Sequence, residues 1–208
     1  MFRSISALVL LLQTALPLVA KDSTENFESF AVGTEPDLFI LDGTFTVELD
    51  GGNKVLSLDP SPLVEGTVQI GKSLRTGAEI TARVKGAQKR RSFPRFGVSL
   101  HGLSGYKLRV VPAKQILELV KNDEVIQTSP FVWSTDQWHV LRLRVQRLDD
   151  ERWSVSGWVW AEATNPPEHA NIEYIGEAKR FQGKAAIIGT PYSGSPILFD
   201  DVQITPLD

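Results

Sequence analysis

From Thr44 onward the chain is a succession of short stretches in which apolar and polar residues alternate one for one, and the i, i+3, i+4 spacing of an amphipathic helix is almost absent. A period of two is that of a half-buried β-strand, because successive side chains leave an extended backbone on opposite sides. The alternation predicts strands over Thr44–Leu49, Lys54–Leu58, Thr67–Ile70, Ala78–Lys85, Phe96–His101, Tyr106–Val111 and Gln115–Val120. It continues with Trp138–Arg147, Trp153–Trp160, Ile172–Glu177, Lys184–Ile188 and Ile197–Ile204. Reversals fall where Gly, Asn and Asp tolerate a positive φ, as in Asp50-Gly51-Gly52-Asn53, Lys121-Asn122-Asp123 and Ser193-Gly194-Ser195-Pro196. So many half-apolar strands, with no break in composition and no repeat, can each hide one face only in two packed antiparallel sheets. The expectation is an all-β, two-sheet antiparallel sandwich forming a single domain over residues 21–208. The longest irregular stretch, Glu162 to Ala170, contains Asn165-Pro166-Pro167.

The first twenty residues are of another kind. Arg3 precedes the apolar run Ala7 to Leu12, and a second apolar stretch closes on Leu18-Val19-Ala20. A basic start, an apolar middle and a small residue at the end describe a signal peptide spanning residues 1–20, cut after Ala20. An uncleaved anchor is the competing reading, but Gln13-Thr14 and Pro17 interrupt the apolar run, which is short of the ~20 residues that span a bilayer. The expected location is therefore secreted or periplasmic, with no membrane span once the signal is removed. The chain has no cysteine, which rules out disulfides and thiolate zinc sites, and leaves stability to the core. A formal charge of −3, one unit more negative after loss of Arg3, gives no reason to expect nucleic acid as a partner.

Alternation also sorts side chains by face. Phe96, Val98 and Leu100 oppose Arg95, Ser99 and His101; Tyr106, Leu108 and Val110 oppose Lys107 and Arg109. Leu141, Leu143 and Val145 oppose Arg142, Arg144 and Gln146, and Trp153, Val155 and Val159 oppose Ser154, Ser156, Trp158 and Trp160. Trp138 and Trp153 are assigned to the core and Trp133 to the preceding loop. The polar faces thus carry a basic row, Arg83, Arg109, Arg142 and Arg144, beside two tryptophans.

The opening Asn26-Phe27-Glu28-Ser29-Phe30 with Gly33 and Pro36, then Gly43-Thr44-Phe45-Thr46-Val47 and Gly52-Asn53-Lys54-Val55-Leu56, resembles the first strands of concanavalin A-like, laminin-G-like domains of the lectin and glucanase superfamily. The closing Ile197-Leu198-Phe199-Asp200-Asp201-Val202-Gln203-Ile204 is similar to their last strand, and Trp138 to Leu143 and Val159-Trp160 followed by Pro166-Pro167 to their middle ones. The resemblance implies a jelly-roll sandwich found in lectins, carbohydrate-binding modules, family 16 glycoside hydrolases and polysaccharide lyases. A fold so widely used does not choose among these functions.

Family 16 hydrolases carry Glu-x-Asp-x-x-Glu on one strand, because retention needs two carboxyls ~5.5 Å apart; no such segment exists here. The cluster Asp149-Asp150-Glu151 reads as a hairpin tip. Lyases of this fold resemble a different arrangement, for which the chain offers His101, Arg109, Arg144 and Tyr106, although segments like Arg-Thr-Glu-Leu-Arg or Gln-Ile-His are absent and Tyr106 falls on the core side. A sugar-binding sheet combines aromatics for stacking with polar groups for hydroxyls, which makes Trp158, Trp160, His101, Arg109, Arg142 and Arg144 the expected ligand-binding residues. The alternatives are that the tryptophans fill a small core under the Asn165–Pro167 loop, and that the arginines form a solvated face. In related sandwiches calcium clamps the first strand to the last; Glu28 and Asp200, with Asp201 as substitute for the second, match those positions, and a plain pair of surface carboxylates is the other reading. His101, His139 and His169 lack zinc spacing, and neither a Gly-x-Ser-x-Gly elbow nor a phosphate-binding glycine loop is present. The expectation is an exported, non-catalytic domain that binds a polysaccharide or oligosaccharide; the alternatives are a lyase or hydrolase with an atypical site and an envelope protein with no small ligand.

Overall fold

The structure, a computed structural model, describes residues 22–178 and 180–207; the signal sequence expected over 1–20 lies outside them. Fifteen strands account for nearly all the regular structure. They are β1 (Ser23–Glu25), β2 (Phe39–Asp42), β3 (Phe45–Asp50), β4 (Asn53–Leu58), β5 (Gly66–Leu74), β6 (Gly77–Gly86), β7 (Arg95–Leu100), β8 (Tyr106–Val111), β9 (Ile116–Lys121), β10 (Glu124–Pro130), β11 (Trp138–Arg147), β12 (Arg152–Ala161), β13 (Ile172–Glu177), β14 (Gly183–Thr190) and β15 (Ile197–Leu207). One 3-10 turn, Pro112–Lys114, joins β8 to β9. All twelve strands predicted from alternation are present, most with ends shifted by one to three residues. The three missed, β1, β2 and β10, are short or lie at a sheet edge. In β10 the residues are mostly exposed and a bulge breaks the register between Val125 and Gln127, so no burial alternation marks it.

The strands form two antiparallel sheets. The first runs β13-β12-β11-β6-β15-β4-β3, with β1 continuing the β4 side of β15; the second runs β10-β9-β8-β7-β14-β5-β2. Consecutive strands repeatedly change sheet, so the central strands β6, β15, β7 and β14 each pair with partners distant in sequence. The inward residues meet in one core: Ile80, Ala82, Leu141, Leu143, Val145 and Val155 from the first sheet face Val98, Leu108, Leu117, Leu119 and Ile187 from the second, all fully buried. At Gly157, on the inward side of β12, a Cβ would stand 2.9 Å from both Leu108 Cδ1 and Ile172 Cγ2. The missing side chain lets the second sheet's Leu108 approach β12 one residue before Trp158. This is the all-β, two-sheet sandwich of the concanavalin A-like kind that the strand pattern and the resemblance implied.

Candidate functional site

The outer face of the first sheet gathers the residues of interest, and pairing registers place them in rows. Across β12, β11, β6 and β15, Trp160 lies opposite Val140, Arg83 and Asp200, and the next row holds Trp158, Arg142, Thr81 and Gln203. A third row continues from Glu173 on β13 through Ser156, Arg144 and Glu79 to Thr205. At the end of the face Trp138 lies opposite Lys85.

The two tryptophans, side by side on one strand, are half-buried. The Arg142 guanidinium sits 5.8 Å from the Trp158 ring centre and 5.2 Å from that of Trp160, and Arg144 approaches Trp158 at 5.8 Å. Both are at cation–π distance, which pins the indoles while leaving part of each exposed. Glu79 orients the arginines: its carboxylate accepts a hydrogen bond from Arg144 Nε at 2.7 Å and stands 3.7 Å from Arg142 Nε, beyond hydrogen-bonding range. Arg142 Nε is thus buried without a hydrogen-bond partner.

Beside this platform Arg83 is held by Glu162 at 2.7 Å, Asp200 at 2.9 Å and Asp201 at 3.0 Å, and stacks 4.6 Å above Trp138. Trp138 donates its indole N–H to Asp50, which also pairs with Lys85 at 2.5 Å. That lysine holds the Asp50 carboxyl below its usual range. Asp200 behaves oppositely: only 1% exposed, it is raised above the ordinary Asp range because burial penalises its charge more than its N–H donors favour it. Those donors are Arg83, the Asn53 amide at 2.6 Å and the Asp201 backbone N–H at 2.7 Å. A bulge between Asp200 and Gln203, with Asp201 at φ 45°, lets Asp200 point outward while Val202 returns to the core.

Of the six residues expected to bind ligand, four converge on this face: Trp158, Trp160, Arg142 and Arg144. Arg109 does not. It lies on β8 in the second sheet, on the opposite outer surface, where it pairs with Glu118 at 2.6 Å and stands 3.7 Å from Glu65. Alternation gives a residue its side of a sheet but not which of two sheets it belongs to. His101 is the second correction. It follows β7 at φ 64°, a left-handed turn that ends the alternation and swings the ring inward, fully buried, stacked 5.3 Å from Phe181 and edge-on to Trp153 at 6.2 Å. Its Nε2 lies 2.9 Å from the Thr76 carbonyl, and burial lowers its pKa below the histidine norm. Trp138, expected in the core, shares the phase of Arg142 and Arg144 and takes the outer face with them. The buried neighbour is His139. Glu79 and Asp50 carry no sequence signal as parts of the site, since carboxylates on an alternating strand read as ordinary solvated groups.

The four residues offered for a lyase reading are dispersed over three surfaces: Arg144 outside the first sheet, Arg109 outside the second, and His101 and Tyr106 between them. Burial pushes the Tyr106 hydroxyl up to about 12. Glu28 and Asp200 are each taken by N–H donors, Glu28 by the Lys54 backbone at 3.0 Å. The Arg83 guanidinium stands 2.9 Å from Asp200 and 3.0 Å from Asp201, the substitute for it. Among the described residues no helix is long and apolar enough to cross a membrane.

No family model matches the chain, and no curated protein matches it in sequence. Among solved structures it is similar to the carbohydrate-binding module CBM66 from Bacillus subtilis, with a TM-score of 0.54 at 11% identity over 81% of this chain and 98% of that one. It is similar also to the marine PL-14 alginate lyase from Aplysia kurodai, with a TM-score of 0.53 at 11% identity over 81% and 90% of the two chains. The lectin UEA-II, solved in complex with galactose, superimposes with a TM-score of 0.50 at 10% identity over 89% and 99%. These likenesses define a class by fold, the concanavalin A-like sandwiches, and at such identities they speak to fold alone.

Proposed function

We propose that this chain is an exported, non-catalytic carbohydrate-binding domain whose ligand lies across the outer face of the first sheet, on Trp158 and Trp160. The observation that carries the reading is the pair of half-buried indoles held by Arg142 and Arg144. Pyranose rings present C–H faces that pack on indoles, and the accessible parts of the Arg142 and Arg144 side chains are placed to donate to hydroxyl oxygens. Ser154, Ser156 and Glu173 on the neighbouring rows offer further hydroxyl and carboxylate partners. Because the salt bridge to Glu79 holds the arginines in place beforehand, little side-chain freedom is lost on binding. The carbohydrate-binding module and the lectin among the structural neighbours support the choice of ligand class, and the dispersal of His101, Tyr106, Arg109 and Arg144 favours binding over elimination chemistry. Export rests on the signal sequence read over residues 1–20.

The test is retention of the purified protein by a panel of neutral polysaccharides in affinity gels. At least one should retard it, and Trp158→Ala or Arg144→Ala should weaken that retention about tenfold, the loss of a stacked ring or a charge-assisted hydrogen bond. No retention by any glycan, or retention indifferent to both substitutions, overturns the proposal. Release of unsaturated ends from any polysaccharide would restore the lyase alternative.

A further inference from the structure

The passage from the first sheet to the second, residues 87–94, runs over one end of the sandwich and carries the sequence Gln88-Lys89-Arg90-Arg91-Ser92-Phe93. A narrow turn closed by the Lys89–Ser92 bridge exposes Lys89, Arg90 and Arg91 at its tip. Behind it lie two adjoining open depressions of about 370 and 430 Å3 that share Phe93 and Ala113 as walls. Trp133 and Lys114 line one, and Arg91, Arg95 and Tyr192 the other.

Three observations distinguish this cleft from the sheet face. First, its charge is unspent. Arg83, Arg142 and Arg144 all lie near carboxylates of their own sheet, whereas among the described residues no carboxylate lies within ion-pair distance of Lys89, Arg90, Arg91 or Arg95. Near this end, Glu118 is occupied by Arg109 and Lys114, and Asp136 accepts from Thr135. Second, aromatic surface interleaves with the cations: Tyr192 is 46% exposed with the Arg95 guanidinium 5.0 Å from its ring, and Phe93 and Trp133 form the inner walls. Third, the Trp133 indole N–H is buried without any acceptor, an uncommon condition for a donor beside an open cleft.

We infer that this end of the sandwich is a second binding site, separate from the tryptophan face, for an acidic polysaccharide whose sugar rings pack on Tyr192 and Phe93 while Arg91 and Arg95 pair with its anionic groups. Guanidinium forks match both carboxylate and sulfate oxygens bidentately. Aromatic walls add a preference for sugar over a bare polyanion, since they reward a ligand with apolar ring faces. The site shares no residue with the sheet face, so either reading can fail while the other stands.

The experiment measures affinity of the full-length protein for polygalacturonate, heparin and inorganic polyphosphate, with Arg91→Ala/Arg95→Ala, Tyr192→Ala and Trp158→Ala beside the unaltered chain. At least one of the two polysaccharides should bind, polygalacturonate reporting carboxylate and heparin sulfate recognition. Removing both arginines should weaken that binding tenfold or more, with Tyr192→Ala weakening it about threefold to tenfold and Trp158→Ala leaving it unchanged. These side chains are outside the core, and an unchanged circular dichroism spectrum separates lost binding from lost fold. Failure of both polysaccharides to bind, or indifference to the arginine pair, overturns the inference. So does loss on Trp158→Ala, which would return the acidic ligand to the sheet face. Equal binding of polyphosphate together with indifference to Tyr192→Ala also overturns it, leaving an anion-attracting surface with no sugar recognition.

Discussion

Replacing Arg83 with methionine keeps the aliphatic stem over Trp138 and removes the charge that faces Asp200. The cost follows from burial: Asp200 is 1% exposed, and without the guanidinium 2.9 Å away its charge would have only the Asn53 amide and the Asp201 backbone N–H. Removing one partner of a buried ion pair typically costs about 3–5 kcal/mol. The two surviving donors place Arg83→Met lower, at about 2–3 kcal/mol, or about 5–10 °C in Tm for a chain of this size. The penalty belongs to the stranded carboxylate, so Arg83→Met/Asp200→Asn should regain at least half of it. It should also depend on pH. Asp200 already titrates above its unfolded value, and losing Arg83 raises it further. A group raised in the folded state binds its proton preferentially there, so its stability contribution is fully present below the unfolded pKa and is lost as pH rises through the folded one. The deficit of Arg83→Met should therefore be largest at pH 7 and shrink toward pH 4. Urea unfolding followed by tryptophan fluorescence measures all three quantities. A loss below about 0.5 kcal/mol, the scale of an ordinary surface change, or a double variant no better than Arg83→Met, would refute the reasoning.

Two further outcomes are expected. Burial lowers the pKa of both His101 and His139, against the partial opposition of their bonds to the Thr76 and Gln137 carbonyls. The unfolded chain then takes up protons first as the pH falls below ~6.5, so each histidine removes up to about 1.4 kcal/mol of stability per pH unit below that point, until its folded pKa is reached. Unfolding free energies that stay level between pH 7.5 and 5.5 would contradict this. Trp153→Ala should cost about 3–5 kcal/mol, because it empties a fully buried site against His101 and Phe181. Trp160→Ala should cost about 1 kcal/mol, the worth of an exposed cation–π contact; the reverse order in thermal melts would place the core elsewhere.

Alternation was a reliable guide wherever a strand stayed regular and had one dry side. β11 and β12 show this: Leu141, Leu143, Val145, Trp153 and Val155 are all in the core, and Arg142, Arg144, Trp158 and Trp160 are all outside it. Trp138, expected in the core by phase, is in fact in phase with Arg142 and lies on the outer face. The rule lapses where the backbone leaves the pleat. At His101 a positive φ turns a polar residue into the interior, and at Asp201 a bulge keeps Asp200 and Val202 on opposite sides although they are two apart.

An extended, half-apolar chain has few ways to satisfy its backbone and hide its dry sides, so the sequence by itself determined two antiparallel sheets, one core and the phase of most strands. Which strands become neighbours was decided only in three dimensions, because antiparallel pairing brings together residues as far apart as Arg83 and Asp200. That step separated Arg109 from Arg142 and Arg144 and brought Glu79 to the arginines. It also set Phe93, Trp133 and Tyr192, from three separate connections, around one cleft at the end of the sandwich.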